Sequence, residues 1–292
     1  MTAETRILAD GRLHLNHGPI DLIVQAWGRA GAISAAYARA TTRFTGLLDE
    51  LVTELPALRS GAGLALQGAV ASAMGRAVAP FRPRFITPMA AVAGAVADEI
   101  LAHLAGPGIS KAYVNNGGDI ALYLTPGESL TAAIAARAGL PDRVTIRYQD
   151  PVRGIATSGW GGRSFSLGIA DAVTVLAPTA AMADAAATII ANAVDLPGHA
   201  AISRRPACTI RADSDLGRIA VTVGVAPLSP SDRARALDAG LAAARAARSR
   251  GLINGAALFL QGEVRILAHA DTGPLFHLDA HPAALIPETC HG

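Results

Sequence analysis

The stretch ADAVTVLAPTAAMADAAATIIANAVD, residues 170–195, sets a strand and a helix side by side. Ala172 to Ala177 reads as a short apolar strand, and Thr179 to about Val194 as a helix. Along that helix Asp184, Thr188, Asn192 and Asp195 recur at spacings of four, four and three, so they share one face of an otherwise apolar surface. A polar stripe on a buried helix demands partners, unless that face meets solvent. A carboxylate and a hydroxyl one turn apart are hard oxygen ligands. They suit Mg²⁺, which usually keeps several waters and is shared with substrate phosphates.

On the N-terminal side, Ile20 to Trp27 reads as a buried strand. A helix follows it, with Ser34 as its cap and Phe44, Leu47, Leu48, Leu51 and Leu55 at helical spacing before Pro56. Gly61 to Ala79 is expected to be a tightly packed helix. Thr87 and Pro88 form a helix start, and the helix runs to about Leu104. Its small-residue face, Ala90, Ala93, Gly94 and Ala97, is suited to close contact, and something large or flat is expected against it. Lys111 to Val114 and Ile120 to Leu124 are strands around the turn NNGGD, and Val144 to Gln149 alternates as a further strand. On the C-terminal side, Ser231 to Arg250 is a helix stopped by Gly251. Ala256 to Leu260 and Glu263 to Leu267 make a hairpin around Gln261 and Gly262. Strands and helices interleave without a regular βαβ rhythm, so the expected class is α+β. Composition marks no boundary, and 1–292 is taken as one domain with an irregular tail at 269–292.

The 292 residues are 51% hydrophobic and 16% charged. With a mean hydropathy of +0.35 this excludes intrinsic disorder. The longest uncharged run, Ser60 to Gly75, is too short to cross a membrane, and charges interrupt the N-terminus where a signal peptide needs an apolar core. A cytoplasmic protein is expected. Net charge is +2, Lys111 is the sole lysine, and the arginine-rich run 233–250 lacks interleaved aromatics, so no nucleic-acid partner is indicated. Cys208 and Cys290 are too far apart in sequence for a disulfide framework or a paired metal motif. His277, His281, Cys290 and His291 lack a pattern that would hold them on one face.

Two loops carry further chemistry. In NNGGD, residues 115–119, adjacent glycines allow a close backbone approach to a phosphate or carbonyl, while Asp119 can bind a hydroxyl, an amide or a cation. An ordinary hairpin turn uses the same residues. In TSGWGGRS, residues 157–164, three glycines and three hydroxyls can wrap a phosphate whose charge Arg163 closes. A plain flexible loop reads the same way, and the spacing is not that of a P-loop.

Taken in order, PMAAVAGAVADEI, NNGGDI, ATSG and ADAVTVLAPTAAMADAAAT resemble the ApbE superfamily of flavin-binding proteins, in particular its cytoplasmic branch. The match spans roughly residues 85–195, with weaker agreement at GPIDLIV. The resemblance implies an α+β fold built on a duplicated T-fold-like unit, with antiparallel sheets packed against helices and a flavin nucleotide between the layers. It implies Mg²⁺-dependent transfer of FMN from FAD to a hydroxyl of an acceptor protein, or hydrolysis of FAD to FMN and AMP. Asp184 and Thr188 match the family's metal-binding Asp and Thr, and a main-chain carbonyl near Val92 the remaining ligand. Asn116, Gly117, Gly118 and Asp119 would line the nucleotide pocket, flanked by Thr157, Ser158 and Gly159.

Two departures bear on activity. Where the transferases carry HIIDPxTGxP, with a histidine and an aspartate near the diphosphate, this chain has GGRSFSLGIADAV. Where they carry a lysine in the preceding helix, this chain has Ala93. The alternative is therefore a flavin- or pterin-binding carrier without transferase chemistry, pterin entering through analogy with other T-fold proteins. The sequence leaves substrate, acceptor and any homo-oligomer open.

Overall fold

The computed structural model describes residues 2–134, 142–268 and 276–277. In chain order the first elements are β1 (Glu4–Ile7), β2 (Leu13–His17), β3 (Ile20–Gly28), α1 (Ala30–Thr45), α2 (Leu47–Thr53), α3 (Leu55–Leu58), α4 (Ala69–Val78) and α5 (Val92–Leu104). Then come β4 (Ile109–Asn116), β5 (Asp119–Leu124), β6 (Ser129–Ala133), β7 (Arg143–Arg147), β8 (Gly154–Ser158), β9 (Ala172–Ala177) and α6 (Ala180–Ala193). The chain closes with β10 (Ile202–Pro206), β11 (Ala220–Val225), α7 (Pro230–Ser249), β12 (Gly255–Leu260), β13 (Glu263–Leu267) and β14 (Phe276–His277). Helices are joined to antiparallel strands throughout, so the α+β class is observed.

The described chain divides into two compact units, the first comprising 1–130, 146–157 and 176–186, the second 131–145, 158–175 and 187–292. In the first, β1 to β5 form an antiparallel meander in sequence order, and β8 joins the far side of β5 through Ile120 opposite Ile155. Strand alternation sends Leu13 and Leu15 of β2 and Leu22 and Val24 of β3 to one buried face. Helix α5 packs on β4 and β5, and α1 and α4 pack on α5. Within the second unit, β9 neighbours β12, β12 pairs with β13, β10 with β11, and β14 with β7. Helix α7 lies on β12 and β13. Its N-cap Ser229 accepts from Asp232 N–H, and Gly251 past its end adopts φ +69°.

Three helix expectations are corrected. The helix drawn from Ser34 to Leu55 is three, because Gly46 at φ −101°, ψ 0° breaks it and Pro56 sits at the start of α3. Ser34 lies inside α1, its hydroxyl donating to the Ala30 carbonyl, while Arg29 takes the cap position. The helix expected from Gly61 begins only at Ala69, since the amides of Gln67 and Gly68 donate to the Glu54 carboxylate instead of entering a helix. The third begins with a 3₁₀ turn at Pro88–Ala91 before α5, and Thr87 makes no side-chain cap. A residue distant in sequence supplies the missing acceptor for α5.

Candidate functional site

In the first unit NNGGD is a two-residue hairpin turn. Asn116 pairs with Asp119 across it, with Gly117 at φ +65° and Gly118 at φ +115°. These positive backbone angles favour glycine. The Gly118 amide donates to Asn115 Oδ1 at 2.8 Å. Because Asn116 and Asp119 are cross-strand partners, both project to the same sheet face, and both are buried. Asn116 Nδ2 donates to the Ala93 carbonyl at 3.1 Å, and the Thr157 amide donates to Asp119 Oδ1 at 3.2 Å.

That face meets α5, whose small residues admit the first turn of α6. A Cβ on Gly94 would lie 2.2 Å from the Ala180 carbonyl oxygen, so only glycine permits the contact. The two helices cap one another. Asp98 of α5 accepts from the Ala180 and Ala181 amides of α6 at 3.0 and 2.9 Å. Asp184 of α6 accepts from the Gly94 amide at 3.0 Å and from that of Ala93. Val92, at the first position of α5, precedes these two donors. Each carboxylate satisfies amides that a helix start leaves without an intrahelical acceptor.

Asp184 is also in hydrogen-bond contact with Asp119. Burial, followed by the Asp119 charge, pushes the Asp184 carboxyl well above the usual carboxylate range, against the pull of the two amides. Asp98 is pushed up to about 6, again chiefly by burial, with the amides of Ala181 and Ala180 opposing. The first unit thus brings Asn116, Asp119, Thr157 and Asp184 to the start of α5. Asp98 was absent from the residues read from sequence; the available signal was a lone carboxylate four positions after Gly94, on its small-residue face.

Ser158, Gly159, Arg163 and Thr188 belong to the second unit. Gly159 sits where a Cβ would lie 2.3 Å from the Asp171 carbonyl oxygen, and the Trp160 amide donates to the Ala170 carbonyl at 3.0 Å. The loop's glycines therefore serve backbone packing at Gly159 and a turn at Gly162, whose amide donates to the Gly159 carbonyl. Arg163 is exposed. Further along α6, Asn192 Oδ1 accepts from the Leu167 amide at 2.8 Å and the Ser166 hydroxyl at 3.2 Å, and Asp195 is ion-paired with Arg204. A cavity of about 430 Å³ lies beside this end, lined by Asp195, Leu196, Pro197, Gly198, His199 and Arg235. Of the stripe it touches only Asp195. Among the described residues no three or more His, Cys, Asp or Glu side chains cluster as a metal site. The His277 side chain, His281, Cys290 and His291 lie outside the described residues.

The family model described as AbpE bacteria matches residues 5–266. A UPF0280 protein of Methanopyrus kandleri is 35% identical over 59% of this chain and 69% of its own length. A UPF0280 protein of Methanothermobacter thermautotrophicus is 41% identical over 38% of this chain, and the match spans 44% of that protein. The crystal structure of the Pseudomonas stutzeri flavinyl transferase ApbE, in its apo form, aligns over 95% of this chain and 99% of its own at 14% identity, with a TM-score of 0.38.

Proposed function

The chain belongs to the AbpE bacteria family and is ApbE-like, and on that premise we propose that it binds a flavin nucleotide, FAD or FMN, together with Mg²⁺ and acts on the diphosphate. The observation that supports this most is the contact between Asp184 and Asp119 at the start of α5. Three of the stretches that carry the family resemblance meet there. Two touching carboxylates repel when both are ionised, and a divalent cation removes that cost. The donor set, carboxylate oxygens with the Thr188 hydroxyl and the Val92 carbonyl, is the hard-oxygen chemistry Mg²⁺ takes.

In this reading Asp184, Thr188 and Val92 hold the cation, and Asp119 balances its second charge. Bound Mg²⁺ would polarise phosphoryl oxygens. Asn116, Gly117, Gly118 and Asp119 line the nucleotide pocket, with Thr157, Ser158 and Gly159 flanking it and Arg163 countering phosphate charge. The outcome is FMN transfer to a hydroxyl of an acceptor protein with release of AMP, or hydrolysis of FAD to FMN and AMP. The protein is read as cytoplasmic; no helix of the described residues is long and apolar enough to cross a membrane. Incubation with FAD and Mg²⁺ followed by chromatography is expected to release FMN or AMP. Absence of both above a no-enzyme control sinks FAD hydrolysis, and absence of AMP release with a hydroxyl-bearing acceptor protein added sinks transfer.

One observation favours a second reading. At position 93 there is no amine, and the backbone carbonyl is taken by Asn116. The alternative is a carrier that binds a flavin or pterin without turnover. Calorimetry with FAD, FMN and a pterin separates the two: saturable heat without product supports the carrier, and no heat with any ligand removes both.

A further inference from the structure

Asp184 can serve a cation only if its carboxylate points at the start of α5, and that depends on where α6 begins and how it is rotated. One residue of slip turns a helix by about 100° and carries a side chain to another face. Gly94 allows the close approach but, lacking a side chain, gives the neighbouring helix no directional anchor. Asp98 gives one. It lies one turn after Gly94 on the same face of α5, and its two oxygens separately accept the amides of Ala180 and Ala181. The Thr179 side chain, itself an acceptor for the Met182 amide, also hydrogen-bonds Asp98. Two successive backbone donors held by one carboxylate fix both the origin and the azimuth of α6.

We propose that Asp98 is a positioning residue: by holding the first two amides of α6 it sets the rotation that brings Asp184 onto the Gly94 amide and so prepares the cation ligand. This rests on the reading of Asp184 as a cation ligand for its functional meaning, though not for its geometry. Asp98 has its oxygens taken by the Ala180 and Ala181 amides and the Thr179 side chain. Its effect must pass through Asp184.

The test takes the full chain with Asp98→Ala and Asp98→Asn, each alone and combined with Asp184→Ala. The asparagine variant keeps the size and one acceptor oxygen should the alanine variant fold poorly. Two readouts are used: the amide shift and exchange rate of Gly94 by NMR, and Mn²⁺ affinity by electron paramagnetic resonance. Asp98→Ala is expected to move the Gly94 amide as Asp184→Ala does, while amides of β3 and β4 keep their protection. It should weaken Mn²⁺ roughly 10-fold, the scale of losing an outer support of a ligand, and Asp98→Asn less. In the Asp184→Ala background it should add nothing. An unchanged Gly94 amide in both variants overturns the positioning role, as does a Mn²⁺ effect that adds fully to that of Asp184→Ala. If the parent chain binds no Mn²⁺, the cation reading falls, and the Gly94 amide still decides whether Asp98 positions Asp184.

Discussion

The two ends of the polar stripe on α6 are built on different electrostatic terms. At the far end the oxygens of the stripe meet donors: Asn192 accepts from an amide and a hydroxyl, and Asp195 faces the Arg204 guanidinium. At the near end Asp184 meets two amides and another carboxylate, Asp119. The far end resembles a finished structural network, in which buried polar groups are satisfied and nothing further is called for. At the near end two largely buried carboxylates meet, a pair that needs a proton or a cation between them. The same sequence pattern therefore marks packing at one end and a candidate cation site at the other, and the partner's charge distinguishes them.

Backbone contact is common to both ends, and the largest effects lie there. A Cβ on Gly94 would stand 2.2 Å from the Ala180 carbonyl oxygen, and one on Gly168 2.0 Å from that of Ala191. Neither clash can be relieved by a rotamer change, because backbone is what each Cβ would meet. Gly94→Ala and Gly168→Ala are each expected to cost about 3 kcal/mol or more in urea unfolding. The asymmetry should appear in the cation: at temperatures where both variants stay folded, Gly94→Ala loses Mn²⁺ binding and Gly168→Ala keeps it. Equal Mn²⁺ affinity in the two would erase the distinction between the ends.

Much of this was legible in the sequence because it depends on local spacing. The stripe on α6, the small-residue face of α5, the hairpin of NNGGD and the strands expected at Ile20 to Trp27, Ala172 to Ala177 and Ala256 to Leu260 follow from apolar runs, periodicity and turn chemistry. Legibility stopped where the deciding partner was remote. Thr87 looked like a cap, yet Asp184, some ninety positions away, satisfies the amides at the start of α5. Asp98 was not singled out, and only the fold brings Ala180 and Ala181 to it. The loop at 157–164 had the composition of an anion site, but composition does not distinguish glycines that admit a ligand from one, Gly159, that admits the backbone of Asp171.

The next effect separates the ends by pH, since Asn192 does not titrate in this range and Asp98 does. Burial raises Asp98 from 3.8 to about 6 in the folded chain, so between those values the folded state holds a proton that the unfolded state has released. Its contribution to stability is full below about pH 4 and is lost as pH rises through 6, by roughly 3 kcal/mol in all. Asp184 is shifted in the same direction and adds to the slope. Asp98→Asn should flatten the fall in unfolding free energy between pH 4 and 6.5, and Asn192→Ala should leave it untouched. A parent chain whose stability rises across that window would refute the assignment, because no group at the near end could then dominate.

Side-chain removal at the two ends should give opposite profiles of smaller size. Asp184→Asn is expected to weaken Mn²⁺ by 10- to 100-fold, about 1 to 3 kcal/mol. Its cost to folding should be small, because a neutral amide avoids burying a charge beside Asp119 and still accepts an N–H. Asn192→Ala should leave Mn²⁺ unchanged and cost about 1 to 2 kcal/mol of stability, since it strands the Leu167 amide. If Asp184→Asn instead destabilised the chain as Asn192→Ala does and Mn²⁺ bound normally, Asp184 would be a helix cap and nothing more.

The smallest effect belongs to the ion pair at the far end. Asp195 and Arg204 are each about one-fifth exposed, so solvent and salt weaken their attraction, and Arg204 keeps a second contact to the Leu167 carbonyl when the carboxylate is lost. Asp195→Asn should therefore cost no more than about 1 kcal/mol in urea unfolding, and the loss should shrink as salt is raised. The near end predicts the reverse dependence on ions: divalent cations should raise its thermal midpoint at constant ionic strength, and that increment should vanish in Asp184→Asn while surviving in Asp195→Asn. Were the increment lost in both variants, the cation would be responding to the negative charge of the helix face as a whole, and the two ends would no longer be distinct.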